Sequence, residues 1–454
     1  MSFIKHSFIA FSSLLLITAC SNETLTELPE GEKPLAEKEN IKMVVFSDTH
    51  LMAPSLLVSE GQAFEDYISH DRKMLKESGA ILDALIKEVT AENPDIILIP
   101  GDLTKDGAEV SHQLFANQYL QKLKEKGAQI FVVPGNHDIN NPHAVSFNGD
   151  SKQRVKSVTK EEFQSIYANY GYSKTIAKDE ASLTYVAEPF KNLRILGIDA
   201  CLYTQNSFEN DICVTAGAIK PETMEFIRKQ AKDAKEKGVR MIAMMHHGLV
   251  EHWNMQEKLM GEYLIEDWSA YANEFAGLGI QLVFTGHFHA QDIVKHERES
   301  GFVYDIETGS TVTYPCPYRI VNLNAKQAKI ESKNIQSINY DLGGQNFPQY
   351  AQSYVEEGIG GIITSILPLP DNIAALIKPL ASNAIIAHYK GDEQISDEEL
   401  SKIKSFAFAA NLIAPGMGDF LKDAALGLWT DLNPADNAIT IDLSTGQNNY
   451  PNPI

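Results

Sequence analysis

The chain has 454 residues, of which 44% are hydrophobic, and it carries a formal net charge of −21 at pH 7. This length and composition provide enough apolar residues for about two domains with buried cores. A field this negative repels a nucleic-acid backbone or an anionic lipid surface, so we expect neither as a partner. An anionic substrate would need a local positive charge strong enough to override that field.

The N-terminal 40 residues have the pattern of an export signal followed by a tether. Lys5 precedes an apolar stretch that ends at Ala19 and is shorter than the about 20 apolar residues of a membrane-spanning helix. The sequence Ile-Thr-Ala-Cys ending at Cys20 resembles the lipobox of bacterial lipoproteins. We therefore predict a signal peptide over residues 1–19, lipidation of Cys20 and an exported protein held on a bacterial membrane by this anchor, with an incidental cysteine as the alternative. The glutamate-rich residues 20–40 are predicted to be an acidic tether.

Apolar runs and amphipathic stripes alternate from Ile41 onward. Short apolar runs that end near Ser47, Pro100 and Val133 predict buried strands. Between these runs, apolar residues at helical spacing over 81–89 and 110–123 predict two helices. The order strand, helix, strand, helix, strand is typical of an α/β layered domain.

The same domain is predicted to continue to residue 337. Residues 144–179 look irregular and polar, and we expect an insertion over the site. Further strands are predicted over 185–198, before His246, before Gly286 and within 301–338, and a helix that starts with proline and ends with glycine spans 221–238.

The C-terminal segment, residues 338–454, is predicted to be a separate helical domain. Its apolar residues follow helical spacing over four stretches, which are 347–367, 371–388, 397–412 and 418–429. Such stripes usually pack into a core, so we expect a small bundle that stabilises the first domain. A lid that shapes specificity is the alternative.

Three cysteines remain after the predicted lipidation site, at Cys201, Cys213 and Cys316. In an exported protein Cys201 and Cys213 could form a disulfide. Three thiols leave one unpaired, so both the paired and the free state stay open.

Five of the predicted strands end in Asp, Asn or His. These side chains offer the oxygen and imidazole ligands that hard or borderline metal ions prefer. A single Asp or His at a strand end is more often a cap or a hydrogen-bonded residue, but here the candidates cluster, and His287 and His289 lie two apart and face the same side of an extended chain. We therefore predict a site for two metal ions formed by Asp48, His50, Asp102, Asn136, His246, His287 and His289.

The motifs D-x-H, G-D, G-N-H-D, H and G-H-x-H follow one another in this order over about residues 41–337. This order resembles that of the calcineurin-like metallophosphoesterase superfamily. The resemblance implies an α/β fold, an α/β/β/α sandwich of two mixed sheets, here followed by the C-terminal α-helical bundle domain. It also implies that one metal lies on Asp48, His50 and His289, that the other lies on Asn136, His246 and His287, and that Asp102 bridges both.

The resemblance assigns catalytic roles to the residues of the G-N-H-D motif. His137 would donate a proton to the leaving group or stabilise the phosphorane, and Asp138 would fix its orientation. For His247, which follows the predicted ligand His246, three roles remain open: support of the metal ligands from behind, contact with the substrate, or a purely structural role.

Differences between this sequence and the motifs of related subfamilies reduce the range of expected substrates. No tyrosine lies three residues after Asp102, so the iron-tyrosinate site of purple acid phosphatases is not expected. The same stretch lacks the arginine of the Ser/Thr protein phosphatase motif, and the residues after Asp138 differ from those of periplasmic nucleotidases. What remains is most similar to class III cyclic-nucleotide phosphodiesterases.

We therefore expect a phosphoric diester hydrolase that acts on a small phosphodiester, with a cyclic nucleotide as the favoured substrate. Two divalent or trivalent ions of manganese, iron or zinc would be its cofactors, and a hydroxide held between them would attack phosphorus. The alternatives are a phosphomonoesterase or glycerophosphodiesterase of the same superfamily, or a surface-binding lipoprotein without activity. Contact with a membrane is expected through the lipid anchor alone.

Overall fold

The computed structural model describes residues 35–69, 71–366, 371–413 and 415–450. The predicted signal peptide, Cys20 and tether residues 21–34 lie outside these residues, as does His70. The described residues from Ala36 onward form one compact unit. Among the described helices, we find none whose length and apolar content would suit a membrane span.

Strands occur along most of the chain up to residue 334 and return near its end. In chain order they are β1 (Ile41–Val45), β2 (Leu57–Ser59), β3 (Ile96–Ile99), β4 (Gln129–Val132), β5 (Val145–Asn148), β6 (Ser151–Arg154), β7 (Thr175–Lys178), β8 (Tyr185–Phe190), β9 (Leu193–Gly197), β10 (Arg240–Met244), β11 (Leu282–Thr285), β12 (Asp292–Arg298), β13 (Gly301–Glu307), β14 (Pro317–Leu323), β15 (Gln327–Asn334), β16 (Ala438–Asp442) and β17 (Asn448–Asn449).

Helices fill the connections and dominate the C-terminal segment. They are α1 (Gln62–Ile68), α2 (Ser78–Glu92), α3 (Glu109–Leu114), α4 (Gln121–Glu125), α5 (Lys160–Ile166), α6 (Pro221–Lys237), α7 (Gln256–Met260), α8 (Trp268–Leu278), α9 (Phe347–Ile366), α10 (Asp371–Lys390), α11 (Asp397–Ile413) and α12 (Met417–Leu428). A π-helical stretch, Phe115–Leu120, joins α3 to α4.

Two mixed sheets of seven strands each lie at the centre of the fold, and β2, β5 and β6 form a small third sheet. The first sheet has the order β17-β16-β15-β14-β1-β3-β4, and the second has the order β12-β13-β11-β10-β9-β8-β7. Strands β1, β3 and β4 are parallel neighbours in the first sheet, as are β9, β10 and β11 in the second. Parallel neighbours end at the same sheet edge, so the loops that follow them lie close together.

Alternate residues of the second sheet face two different cores, as the period of a strand requires. Ile242 and Met244 of β10 join the large core that also holds β1, β3 and helices α2 to α4. Met241 and Ala243 face a second core with α6 and α8. The layers therefore run helix, sheet, sheet, helix. The predicted α/β/β/α sandwich, with helices following it at the C-terminal end, is confirmed.

Two segments depart from what the sequence led us to expect. Residues 144–179 are not irregular throughout, because they contain β5, β6, α5 and β7. Strand β6 reads Ser-Lys-Gln-Arg and is exposed along its whole length. It therefore lacks the alternation of apolar and polar residues from which a strand can be predicted. Residues 338–454 are not helical throughout, because β16 pairs antiparallel with β15 and extends the first sheet.

Candidate metal centre

All seven predicted metal ligands lie in loops that directly follow parallel strands. Asp48 and His50 follow β1, Asp102 follows β3 and Asn136 follows β4, and these three strands are neighbours in the first sheet. The remaining three, His246, His287 and His289, follow β10 and β11, which are neighbours in the second sheet. The two sheets thus bring their ligands to the same end of the sandwich, and the convergence predicted from the sequence is what the structure shows.

Left-handed backbone angles mark these loops. Such angles are uncommon outside glycine and cost about 1–3 kcal/mol each. Hydrogen bonds between the loops hold this backbone, because the amide of Asp48 donates to the carbonyl of Gly101 at 3.2 Å and the amide of His50 donates to that of Asp102 at 3.0 Å. Five ligands have positive φ, namely Asp48 (51°), His50 (36°), Asp102 (48°), His287 (78°) and His289 (75°).

The first group of ligands consists of Asp48, His50 and His289, all of them buried. The Nε2 atoms of His50 and His289 face each other at 3.3 Å, and Asp48 Oδ1 lies 3.4 Å from His289 Nε2. Ligands bonded to one ion at about 2.0–2.2 Å lie roughly 3 to 3.5 Å from one another. These distances therefore match the edges of a coordination shell.

The second group is formed by Asp102, Asn136, His246 and His287. His246 Nε2 lies 3.0 Å from Asn136 Oδ1 and 3.3 Å from Asp102 Oδ2, and the rings of His246 and His287 are 4.5 Å apart. The same Oδ2 of Asp102 lies 3.5 Å from His50 Nε2 of the first group. Asp102 is thus placed to bridge two ions.

Several polar atoms in this pocket are available to bind a pair of metal ions. Asp48 Oδ1 is fully buried and accepts no hydrogen bond from any described residue, which is costly for a carboxylate unless a cation satisfies it. His246 Nδ1 lies 2.9 Å from the Pro100 carbonyl and His289 Nδ1 lies 3.1 Å from Thr313 Oγ1, so Nε2 is the free ligand atom of each ring.

The protonation state of the histidines also suits metal binding, which needs a neutral imidazole. Burial lowers the pKa of His289 to about 4 and holds the pKa of His50 and of His287 well below the ordinary value. For His246 burial acts in the same direction, but the Asp102 carboxylate outweighs it and raises the pKa to about 9. A cation at this place would replace that proton.

The predicted partner of His137 is wrong. His137 Nδ1 lies 2.8 Å from Asp106 Oδ1, and the imidazole has no contact with Asp138. The Asp138 carboxylate instead accepts from the backbone amides of Gly135, Leu103 and Thr104 at 2.9–3.1 Å. The cause is the turn after β4, in which consecutive side chains point in different directions, so Asp138 joins two loops and Asp106 orients the histidine.

His247 does not face the cavity. It is fully buried, its Nε2 lies 2.8 Å from the Thr215 carbonyl and its ring packs 4.5 Å from that of His287. Of the three roles left open by the sequence, the structure favours support of the ligands, because His247 packs behind the ligand histidine His287.

Cys201 and Cys213 are free thiols and do not form the disulfide considered above, and Cys316 is also free. Cys201 and Cys213 contact the loop after β4. Cys201 Sγ donates to the Pro134 carbonyl at 3.3 Å, and Cys213 Sγ donates to the Asn136 carbonyl at 3.6 Å. They therefore pack against the backbone that carries Asn136 and His137.

A cavity of about 240 Å³ opens onto the ligands. Its wall includes the candidate ligands Asp102, Asn136, His287 and His289 together with the ring of His137. A larger cleft of about 920 Å³ lies beside α2, but none of the predicted ligands lines it.

Sequence reasoning missed several residues of the cavity wall. Arg72 and Lys73 precede α2, Thr215 lies in the loop before α6, and Tyr263 ends a short 3-10 helix, Gly261–Tyr263. None of the four follows a strand, so the strand-end pattern gives no signal for them. Asp106 lies four residues after Asp102, and that proximity is a signal which could have found it.

The fold and this site define a phosphoester-cleaving metalloprotein, and sequence comparison agrees. The profile of the calcineurin-like phosphoesterase family matches residues 41–291, more than half of the 454 residues and a span that contains every candidate ligand. The chain belongs to this family, whose members are hydrolases that depend on a binuclear metal site.

Solved structures and curated proteins were also compared. The chain is similar to a dimetal phosphatase from Danio rerio, with a TM-score of 0.47 and 12% identity over 65% of this chain and 97% of that one. It is also similar to a purple acid phosphatase from yellow lupin (Lupinus luteus) seeds, with a TM-score of 0.40 and 12% identity over 66% of this chain and 52% of that one. None of the curated proteins searched matches the chain.

Gly135 allows the loop after β4 to approach Asp102, and this contact predicts a sensitive position. A methyl group at Gly135 would lie 2.1 Å from Asp102 Oδ1 and 2.3 Å from its backbone nitrogen, so Gly135→Ala must displace the bridging carboxylate. We expect elemental analysis to show a loss of about one to two ions per chain. The matched control is Gly79→Ala in α2, where the nearest atom to the added methyl is Tyr119 Oη at 3.4 Å. Unchanged metal content in Gly135→Ala would refute the assignment of Asp102.

Proposed function

We propose that the chain is a binuclear metal-dependent phosphodiesterase and that a cyclic nucleotide is its favoured substrate. The observation that carries the proposal is His137, a potential proton donor that stands beside two adjoining groups of metal ligands. Its Nδ1 is bound to Asp106, and its Nε2 lies 4.0 Å from the shared carboxylate of Asp102. A sugar alkoxide is a poor leaving group and requires such a donor.

In this proposal Asp48, His50 and His289 hold one ion, Asn136, His246 and His287 hold the other, and Asp102 contributes to both. When bound, the metal pair supplies positive charge for the phosphoryl oxygens and an activated water molecule. Imidazole and oxygen ligands suit manganese, iron or zinc alike.

The work of the chain itself is to orient the ligands and to move one proton. His137 lines the cavity and is 24% exposed at its side chain, so it can reach a bound ester. Asp106 holds its Nδ1 and leaves Nε2 free to protonate the departing oxygen. Burial alone would raise the pKa of Asp106, but Lys105 and His137 hold it well below the ordinary value, so Asp106 stays an anionic acceptor.

Two side-chain cations support an anionic substrate. Arg72 and Lys73 line the cavity beside the ligands. Asp71 lies 3.6 Å from Lys73 Nζ and partly balances it. The buried Nε of Arg72 has no hydrogen-bond partner among the described residues, although Tyr263 hydrogen-bonds the same guanidinium. A cavity of this size and charge suits a small phosphate ester in a protein that is otherwise strongly acidic.

The same cations favour a second candidate, a phosphomonoesterase. A monoester carries one more negative charge than a diester, and Arg72 and Lys73 would stabilise it. The substrate comparison below separates the two candidates.

A leaving-group comparison tests the role of His137. We expect His137→Ala to slow hydrolysis of a cyclic nucleotide by about 10²–10⁴-fold. A nitrophenyl diester should be much less affected, because nitrophenolate departs without a proton. Bound metal should remain in His137→Ala, whereas Asp102→Ala should lose the metal pair and both activities. Equal losses on the two substrates, or equal metal loss in both variants, would contradict the assigned role.

The preference for diesters is tested by turnover of matched nitrophenyl esters. We expect a higher kcat/KM for bis-nitrophenyl phosphate than for nitrophenyl phosphate, and hydrolysis of at least one cyclic nucleotide in a small panel. A clear preference for the monoester would overturn the diesterase proposal and favour the phosphomonoesterase.

We also propose that the protein is exported and anchored through Cys20. The supporting observation is the sequence alone, an apolar segment that ends in Ile-Thr-Ala-Cys. Cys20→Ala in the full chain should release the protein from the membrane fraction into the soluble one. A membrane-bound Cys20→Ala variant would refute the lipid anchor.

A further inference from the structure

A second cluster of buried metal-ligating groups lies away from the candidate metal centre. Asp292, His388 and Glu393 are 0–7% exposed and offer ligand atoms within 4.8 Å of one another. Asp292 begins β12, His388 lies in the last turns of α10, and Glu393 follows that helix. The cluster therefore joins the second sheet to the C-terminal helices.

A hydrogen bond holds this cluster together. His388 Nδ1 lies 2.6 Å from Glu393 Oε1 and 3.6 Å from Asp292 Oδ2. Burial alone would lower the pKa of His388, but the Glu393 carboxylate outweighs burial and raises it. A cation bound by the three side chains would replace that proton. Imidazole together with two carboxylates is a set that suits zinc or manganese better than magnesium or calcium.

An unpaired carboxylate oxygen points to a missing cation. Glu393 Oε2 is buried and has no hydrogen-bond partner in the described part of the chain. A carboxylate oxygen removed from water without a donor costs free energy that a bound cation would offset.

The surroundings hold more acid than base. Asp305, Glu307 and Asp436 are also buried there, and the imidazole of His252 bridges Asp292 at 2.9 Å and Asp305 at 3.1 Å. Arg319 is buried nearby, but its donors go to backbone carbonyls of Glu307, Asp292 and Asp436 and to the Ser332 hydroxyl rather than to carboxylates. Burial raises the pKa of Glu307 to about 8, and the pKa of Glu393 is raised by the same cause.

We propose that Asp292, His388 and Glu393 form a third metal site, which binds one zinc- or manganese-type dication and is structural. The site is closed to solvent, so no open position is left for substrate, which is typical of structural rather than catalytic ions.

The position of the site indicates what it would stabilise. Asp292 lies three residues after His289, and the His388 ring packs 5.5 Å from Phe288, between the two ligand histidines of that loop. An ion at this place would attach α10 to the loop that carries His287 and His289. This proposal does not require the phosphodiesterase assignment.

Metal stoichiometry tests the third site without reference to activity. Full-length protein is dialysed against zinc or manganese, freed of loose metal by gel filtration and analysed for metal per chain. We expect about three ions in the unsubstituted protein and about one in Asp102→Ala, which removes the catalytic pair. About two ions in the unsubstituted protein, or none in Asp102→Ala, would overturn the proposal.

Substitution of a cluster residue provides the second measurement. Glu393→Gln keeps the size of the side chain and removes its charge, and we expect it to lose about one ion per chain. The matched control is Glu398→Gln, whose carboxylate is 78% exposed on α11 and pairs with Lys402. If Glu393→Gln does not fold, the Asp102→Ala stoichiometry alone decides. Full metal content in a folded Glu393→Gln protein would show that protons, not a metal, neutralise the cluster.

Discussion

Two buried carboxylates, Asp48 and Asp102, are the constraint on which the candidate site depends. Removing a carboxylate from water costs several kcal/mol unless an opposite charge compensates it. In the described part of the chain neither carboxylate has a lysine or arginine within ion-pair distance, and their neighbours are histidines. Burial holds the pKa of His50 well below its ordinary value and lowers that of His289 to about 4. Against burial, Asp102 raises the pKa of His246 to about 9, and a cation would replace that proton. A pair of metal ions is therefore the compensation that fits, and it also provides the local positive charge that a chain of net charge −21 needs to bind a phosphate ester.

The sequence was sufficient for the parts of the fold that follow from periodicity. Strands β1, β3, β4, β10 and β11 lie within about two residues of their predicted positions, because short β-branched runs and the polar residues after them mark buried parallel strands. The ligand set was accessible for the same reason, since residues that follow neighbouring parallel strands must meet at one sheet edge. The four C-terminal helices were found from their apolar spacing.

What the sequence did not provide is the direction of side chains in turns. Asp138 follows His137 directly and looked like its partner, yet the turn sends its carboxylate to backbone amides and leaves Asp106 to bind the imidazole. Arg72 and Lys73 reach the cavity through tertiary packing, which no local pattern encodes. Strand β16 was hidden for another reason. It alternates buried Ile439 and Ile441 with more exposed residues, but its partner β15 lies about a hundred residues earlier.

The C-terminal helices contact the segment that lines the cavity rather than the cavity itself. They therefore support the site and do not cover it. Among the described residues, none after His289 lines the cavity. The helices instead hold the segment that does, because Tyr389 of α10 packs 5.7 Å from the Arg72 guanidinium and a methyl group at Gly358 of α9 would lie 2.4 Å from the Asp71 carbonyl. Tyr350 of α9 also donates to Glu77 at 2.8 Å, just before α2. The helices therefore fix the cations of the cavity wall in place, so a supporting element can influence substrate binding without forming a lid.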